Sequence, residues 1–587
     1  MRSSVCSLTV GTGLLVALAA CASDTTSPNV PPPATCTGAS FTLAPLEGRI
    51  VAAADLPCLS VPADGGTYVI VPQFPTATAP MSPVNFTVAA GASAASARVV
   101  SASRRALPRT PRAISDLGRA QRDFEQKLRR RERDAATAAR GRGTTIGPLA
   151  SRVRADVAPP PVGSSKTFHV LADFSDQSVY KLDTATLKYA GTHLLIYQSK
   201  NAPPPPNGFT DAQIADFGNT FDQELYTVDV STFGSPTDID GNGRVIVLLS
   251  PIINSLTDRN SCQTQGFIAG FFDAVDLLPD VYSNSNDGEI FYALVPDPTA
   301  QFSCVHNIES IGQITPATFI HEFQHMISFG QHSIMRGGDE EDAWLNEGLS
   351  HIAEELGSRF YEHRYPPPTG RTNPGQLFPD SSEGFISGDL VNSYDFLLDP
   401  TSTDTSDLAS VSNWGDGDGT LVQRGGVWLF LRWLGDQQDS TVYGRLDQTN
   451  LTGVPNVENA AGPPFATLFG EYALALYVDS LPGVPRASIP PQFRYSSRNL
   501  RALYARENQV DPGDFPFAFP IAPTPLDIGS PVQASMYPGT MDFYLLTAPT
   551  SGAATTVSFT PTSGSSFSSA LNAQVTVFKC PSAAACR

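Results

Sequence analysis

Thr315-Pro316-Ala317-Thr318-Phe319-Ile320-His321-Glu322-Phe323-Gln324-His325-Met326-Ile327, followed by Ala343-Trp344-Leu345-Asn346-Glu347-Gly348-Leu349-Ser350-His351-Ile352-Ala353-Glu354-Glu355-Leu356, is the stretch that organises the chain. Both segments read as helices. His321 and His325 are four residues apart, so on a helix they share a face and can present both imidazoles to one ion. Glu322 is offset by one residue, within reach of a water on that ion but not placed to ligate beside both histidines. Thr315 and Pro316 suit the N-cap and first helical position, so the helix is expected to begin there. Phe319, Ile320, Phe323, Met326 and Ile327 supply its buried surface. A catalytic zinc takes three protein ligands and keeps one position for water. Glu347, 22 residues beyond His325 on the second helix, is well spaced as the third. The pattern thus nominates His321, His325 and Glu347 as zinc ligands and Glu322 as general base. The bland alternative is a helix face with solvent-exposed histidines, but five of the eight histidines fall between residues 321 and 363.

Working outward, 587 residues are too many for one core, and about one domain per 150 residues predicts three or four. An apolar content of 41% with 16% charged residues is that of a globular chain. The net charge of −19 argues against nucleic acid as a partner. That charge is unevenly spread. Residues 98–154 carry sixteen of the 38 lysines and arginines against five acids, which leaves the remainder near −30.

The N-terminus reads as a targeting segment. Arg2 precedes an apolar run from Val10 to Ala20, too short to span a bilayer comfortably. It ends Leu18-Ala19-Ala20-Cys21, which resembles the lipobox of bacterial lipoproteins. That resemblance implies an exported chain anchored to a membrane through a lipidated Cys21, facing the periplasm or the cell exterior. The alternative is an ordinary signal peptide with an incidental cysteine. Cysteine use agrees with export: clustering suggests the pairs Cys36–Cys58, Cys262–Cys304 and Cys580–Cys586.

Composition divides the chain into a signal (1–20), a Pro-rich tether (21–35), a small β-domain (36–97), a basic helical linker or pro-segment (98–160), a catalytic domain (161–481), a Pro-rich connection (482–525) and a C-terminal β-domain (526–587). Within the basic segment Ile114–Arg133 reads as a polar helix with Leu117, Phe124 and Leu128 as a thin apolar stripe. It is either a solvated linker or a segment that lies on the acidic body and is removed on maturation. Asp238-Ile239-Asp240-Gly241-Asn242-Gly243 matches the first six positions of a calcium-binding EF-hand loop, but position twelve is Leu249 rather than glutamate. A partial Ca2+ site on Asp238, Asp240 and Asn242 and a plain turn before a strand both remain open. Strands are expected at Thr167–Ala172, Thr192–Tyr197, Arg244–Leu249 and Glu289–Val295, and core helices over Gly426–Gly435 and Phe465–Val478. Asp339–Asp342 reads as a solvated acidic loop.

His321-Glu322-Phe323-Gln324-His325 with Trp344-Leu345-Asn346-Glu347-Gly348 resembles the gluzincin metallopeptidases, and most of all the hyicolysin-type neutral proteases; Asn286–Tyr292 adds to the likeness. The resemblance covers roughly Lys166 to Val478. It implies an α+β zincin-like catalytic domain, with a mixed twisted sheet and a mainly helical second half, here flanked by small all-β accessory domains. It implies Zn2+ as cofactor and protein or peptide substrates cleaved between the two halves. Relatives use a tyrosine or histidine from the helical half to stabilise the oxyanion, for which His351, His363 and Tyr394 are candidates. Where thermolysin-like relatives carry an aspartate four residues after the glutamate ligand, this chain has His351, leaving Glu354 or Asp342 to orient a zinc-bound histidine. The rival readings are a surface adhesin on an inactive zincin core, or a zinc hydrolase acting on a non-peptide bond.

Overall fold

A six-stranded mixed sheet carries the first half of the molecule. The computed structural model describes residues 42–59, 61–91, 100–101, 119–141, 158–364, 380–404, 408–415, 417 and 419–587. Cys21, Cys36 and the lipobox-like segment lie outside them. The strands on the N-terminal side are β1 (Gly48–Ala52), β2 (Thr67–Gln73), β3 (Val84–Ala90) and β4 (Val100–Ser101). The central sheet is built from β5 (Ser165–Leu171), β6 (Tyr180–Ala190), β7 (Leu194–Ser199), β8 (Val245–Leu249), β9 (Gly270–Phe272) and β10 (Ile290–Ala293). Its order is β5-β6-β7-β8-β10-β9. The middle pairs β7–β8 and β8–β10 are parallel, while β9 runs antiparallel to β10 at one edge. Val245-Ile246-Val247-Leu248-Leu249 is a continuous apolar run because β8 is buried on both faces. The long strand β6 was not foreseen: its Tyr-Lys-Leu-Asp-Thr-Ala-Thr-Leu-Lys texture mixes polar residues with only one buried face, as Leu182 is exposed and Leu187 buried.

Helix α1 spans Arg119–Gly141 and α2 Ile308–Phe329, followed by α3 (Ala343–Arg364), α4 (Asp380–Leu398), α5 (Leu421–Gln437) and α6 (Phe465–Val478). Helix α2 packs Phe319 against the sheet, with ring centroids 5.3 Å from Phe291, and Phe323 against Phe221 of a helical segment (Phe221–Leu225) at 5.2 Å. Helix α2 starts eight residues before the expected position, and Pro316 lies inside it. The Thr315 hydroxyl donates to the Ile311 carbonyl at 2.6 Å, and packing of Ile311 holds the first turns helical despite the proline. Helices α3 to α6 form the second half. Gly348 lets α3 and α5 touch, because a Cβ there would lie 2.7 Å from Leu431 Cδ1.

The two expected β-domains are one body. Strands β11 (Thr524–Pro525), β12 (Val532–Met536), β13 (Tyr544–Thr547), β14 (Val557–Pro561) and β15 (Gln574–Lys579) interleave with the N-terminal strands. One sheet runs β1-β15-β2-β13-β11 and the other β14-β3-β12-β4. Neither terminal segment has enough strands to cover a hydrophobic face alone, and each lends edges to the other. Phe74, Phe86 and Phe559 fill the space between the sheets. The sandwich is also joined to the helical half: Thr576 Oγ1 donates to the Gly470 carbonyl at 3.1 Å, and Gln574 Nε2 to that of Ala466 at 2.6 Å. All of this belongs to one structural unit, Cys36–Arg587, rather than to a catalytic domain with separate flanking modules. The 482–525 connection, read as irregular, contains a helix at Leu500–Val510. Cys262–Cys304 and Cys580–Cys586 are disulfides. No helix among the described residues is long and apolar enough to cross a membrane.

Candidate metal centre and active site

On α2, the four-residue spacing brings the two histidines together: His321 Nε2 and His325 Nε2 are 3.1 Å apart. Glu347 reaches them from α3, its Oε2 3.7 Å from His321 Nε2 and its Oε1 3.7 Å from His325 Nε2. Ligand atoms about 2.1 Å from a tetrahedral zinc stand about 3.4 Å apart, so these separations match three corners of one coordination shell. The donor set passes a second test. Glu347 is fully buried, and its Oε1 makes no hydrogen bond within the protein. That oxygen stands 3.7 Å from His325 Nε2 and is free of a hydrogen bond, so it can serve as a metal donor. His321, His325 and Glu347 therefore fit a zinc ion.

The outward nitrogens are held as metal-ligating histidines require. His321 Nδ1 lies 2.6 Å from Glu354 Oε1, and His325 Nδ1 2.9 Å from Asn346 Oδ1. Glu354 thus does the orienting, whereas Asp342 offers its carbonyl to the first turn of α3. Burial, reinforced by the charges of Arg129 and His321, holds His325 well below the usual imidazole range, in the neutral form that ligates. Burial works against a charge on His321 too, but the Glu354 hydrogen bond together with the charges of Glu354, Glu322 and Glu347 outweighs it and raises that imidazole.

Glu322 is buried beside the cluster, its Oε2 accepting from the Phe272 backbone N–H of edge strand β9 at 2.9 Å. Burial pushes its carboxyl up to about 7, against the lowering influence of His321. A carboxylate balanced near neutrality can take and return a proton at physiological pH.

Of the oxyanion candidates, His351 sits behind the cluster, with Nδ1 2.9 Å from Asp389 and 3.3 Å from Glu354. Although burial opposes it, the Asp389 and Glu354 charges raise His351 to about 10. It shares Glu354 with His321 and acts as a buttress. Tyr394 is a core residue whose hydroxyl donates to the Phe517 carbonyl at 2.9 Å and accepts from the Phe517 N–H at 2.7 Å. The His363 side chain lies outside the described residues. Asp238 and Asp240 do converge, and the buried carboxylate of Glu289 lies with them. Asn242 caps the turn, its N–H donating to Asp240 Oδ1 at 3.0 Å. Glu289 is buried; Oε1 accepts from Thr237 and Ile239, and Oε2 makes no hydrogen bond within the protein.

Three groups were not singled out from sequence. Arg424 on α5 is buried and donates to Glu347 Oε2 at 2.7 Å. A charge one turn before the Trp428–Leu434 apolar run was the available signal, since a buried guanidinium requires a buried acid. Glu125 and Arg129 come from α1, the basic helix. Arg129 Nε lies 3.7 Å from Glu347 Oε1, and Glu125 pairs with Arg424. The acidic loop is not simply solvated either: Glu340 and Glu341 are buried, and Glu341 accepts from Gly453 N and Asn456 Nδ2, each at 2.6 Å.

A pair of helices that brings two histidines and a glutamate together against a mixed sheet, with a second buried glutamate beside them, is an arrangement that can hold a metal ion and activate a water. The chain is similar to the neutral metalloprotease ShpI of Staphylococcus hyicus, with 28% identity over 174 residues. That match takes in 29% of this chain, and the chain spans about a third (36%) of the relative's length. No family model matches the chain.

Proposed function

We propose that this protein is a zinc-dependent endopeptidase on a zincin-like fold, acting on extracellular or periplasmic proteins. The observation that carries the reading is the convergence of His321, His325 and Glu347 with Glu322 buried between them and an edge strand. Bound by those three side chains, zinc would polarise the scissile carbonyl and lower the pKa of a water to about 7. Glu322 accepts the proton of the attacking water and delivers it to the leaving nitrogen. Glu354 and Asn346 fix the two imidazoles, and Arg424 fixes the Glu347 carboxylate. The outer edge of β9 offers backbone groups along which an extended substrate can pair. Similarity to a neutral metalloprotease supports the same class of reaction.

A Ca2+ ion on Asp238, Asp240 and Glu289 belongs to this reading, supported by the Glu289 oxygen that lacks a hydrogen bond. So does a lipid anchor on Cys21, supported by the Leu18–Cys21 motif; Cys21→Ser would release the chain from membranes.

The test is bound zinc measured together with casein hydrolysis over long incubation. One zinc per chain is expected, with cleavage lost in Glu322→Gln while the metal stays. Cleavage unaffected by Glu322→Gln would overturn the assignment of the base, and a chain that binds no zinc would overturn the site.

A further inference from the structure

The basic helix is neither solvated nor remote: it lies across the catalytic centre. Phe124 and Leu128 are fully buried, and Phe124 packs 5.1 Å from Phe271 of β9. At the N-terminal end of α1, Gln121 Nε2 donates to the Gly270 carbonyl at 3.1 Å, and Gln121 Oε1 accepts from the Ala269 N–H at 2.9 Å. A primary amide presents the same donor and acceptor as a peptide group. Gln121 therefore occupies, in peptide fashion, the edge along which a substrate backbone would pair. In the middle of α1, Glu125 pairs with Arg424 and Arg129 Nε lies 3.7 Å from Glu347 Oε1, so the helix contacts the ligand cluster through the Arg424–Glu347 pair. Further along, Arg131 donates to Asp273 Oδ2 at 3.1 Å on the sheet half, while Arg133 Nε stands 3.8 Å from Glu340 Oε1 on the helical half, and Arg140 pairs with Asp339. One helix thus bridges both walls of the cleft, with its amide on the substrate edge and its charges on the metal ligand's partners.

The geometry points to α1 as an internal inhibitor, a helical plug whose arginines occupy acidic sockets that receive the basic side chains of protein substrates once α1 leaves. This deepens, and rests on, the endopeptidase reading. The bulk charges agree: segment 98–154 has an excess of eleven positive charges and the rest of the chain lies near −30. A strongly acidic body attracts cationic chains and concentrates them at its cleft. The plug is held by a narrow apolar stripe and by ion pairs, several of them at half-exposed side chains such as Arg133 and Arg140. Such attachments open locally at far less cost than a core helix. The inhibitor is thus removable without unfolding the enzyme.

The experiment uses the full zinc-loaded chain and two variants at contacts of the plug with the body, Arg131→Glu/Arg133→Glu and Gln121→Ala. Three quantities are read for each: bound zinc, hydrogen exchange over residues 119–141, and initial cleavage rates of two fluorogenic peptides that differ only in carrying arginines or glutamates. With zinc unchanged, the double variant is expected to exchange faster at 119–141 and cleave at least tenfold faster. Gln121→Ala is expected to give a smaller gain. The arginine peptide should be preferred at least tenfold, and a synthetic 119–141 peptide added in trans should reverse the gain. Faster exchange without a faster rate, while wild type already shows Glu322-dependent cleavage, overturns the inhibitor and leaves the endopeptidase reading standing. Equal rates on the two peptides overturn the acidic sockets. Absence of cleavage from every form, released or not, overturns both the plug and the endopeptidase reading.

Discussion

Two helices meet at the catalytic centre, and they are held there by opposite physics. Helix α2 is apolar around most of its circumference, and its second half is buried from Phe319 to Phe329. Its attachment is the core itself, with Phe323 between Phe221 and Tyr226. Helix α1 buries a stripe of Ala120, Phe124, Leu128, Ala135 and Ala136 and makes its other contacts through charges. An apolar face against a sheet is insensitive to salt and hard to open; the ion pairs of Arg133 and Arg140 at the end of α1 are partly exposed and screened, whereas those of Glu125, Arg129 and Glu132 are buried. The difference teaches which part of the centre is permanent and which is exchangeable. On the proposed reading, the helix that carries His321 and His325 is structure, and the charge-bearing helix is a ligand of that structure that happens to be covalently attached.

The strongest way to break this comparison is to remove a metal ligand. Glu347→Gln or His325→Ala is expected to weaken zinc binding by at least three orders of magnitude, read by competition with a chelator. Retention of zinc would mean that the site is elsewhere. Next comes the core attachment of α2. Phe323→Ala should cost about 3–5 kcal/mol of global stability in denaturant unfolding. Leu128→Ala, equally buried but on α1, should instead speed hydrogen exchange over 119–141 while leaving the global midpoint nearly unchanged. Equal global losses from the two would erase the distinction.

Smaller effects sharpen it. Glu354→Gln and Asn346→Ala, which act on the outward nitrogens of His321 and His325, should each lower zinc affinity about 10–100-fold. Raising the salt to 1 M should increase the cleavage rate severalfold by loosening α1 and leave zinc content untouched. The smallest expected effect is on pH. Burial raises the Glu340 carboxyl, beside Arg133, to about 8, outweighing the basic charge nearby. Its ordinary value is 4.5, so the folded state holds this proton more tightly than an open one does. Its contribution is complete below about pH 4.5 and is lost as pH rises through about 8. Glu340→Gln should therefore gain stability over wild type between pH 5 and 8, on the order of 1 kcal/mol after solvent screening. A constant difference across that range would place the proton elsewhere.

Much of the centre was legible because its chemistry is local. The His321–His325 pair needs only the helical repeat, and Glu347 needs only a second helix close by. The calcium loop shows the limit of such reading. Spacing within Asp238–Gly243 pointed to Asn242, whereas the third carboxylate in space is Glu289, brought alongside by the parallel pairing of β8 and β10. Tyr394 was attractive by residue type, yet its hydroxyl exchanges hydrogen bonds with the Phe517 backbone, more than a hundred residues away. The β-segments at either end looked like two modules because strand propensity is read one strand at a time. That β15 lies between β1 and β2 is a pairing across five hundred residues that no local pattern encodes.

What the sequence by itself nominated is the candidate set His321, His325 and Glu347 with Glu322, since their spacing is a property of helices. It also determined that a basic segment sits in an acidic chain. Only the tertiary structure decided where that segment goes. Electrostatic attraction between residues 98–154 and the body is evident from the counts, but direction is not. It took the placement of Gln121 on the β9 edge and of Glu125 and Arg129 beside Glu347 to show that the basic helix lies in the cleft itself. Charge sets that two parts of a chain attract; only the packed shape sets which surface they share.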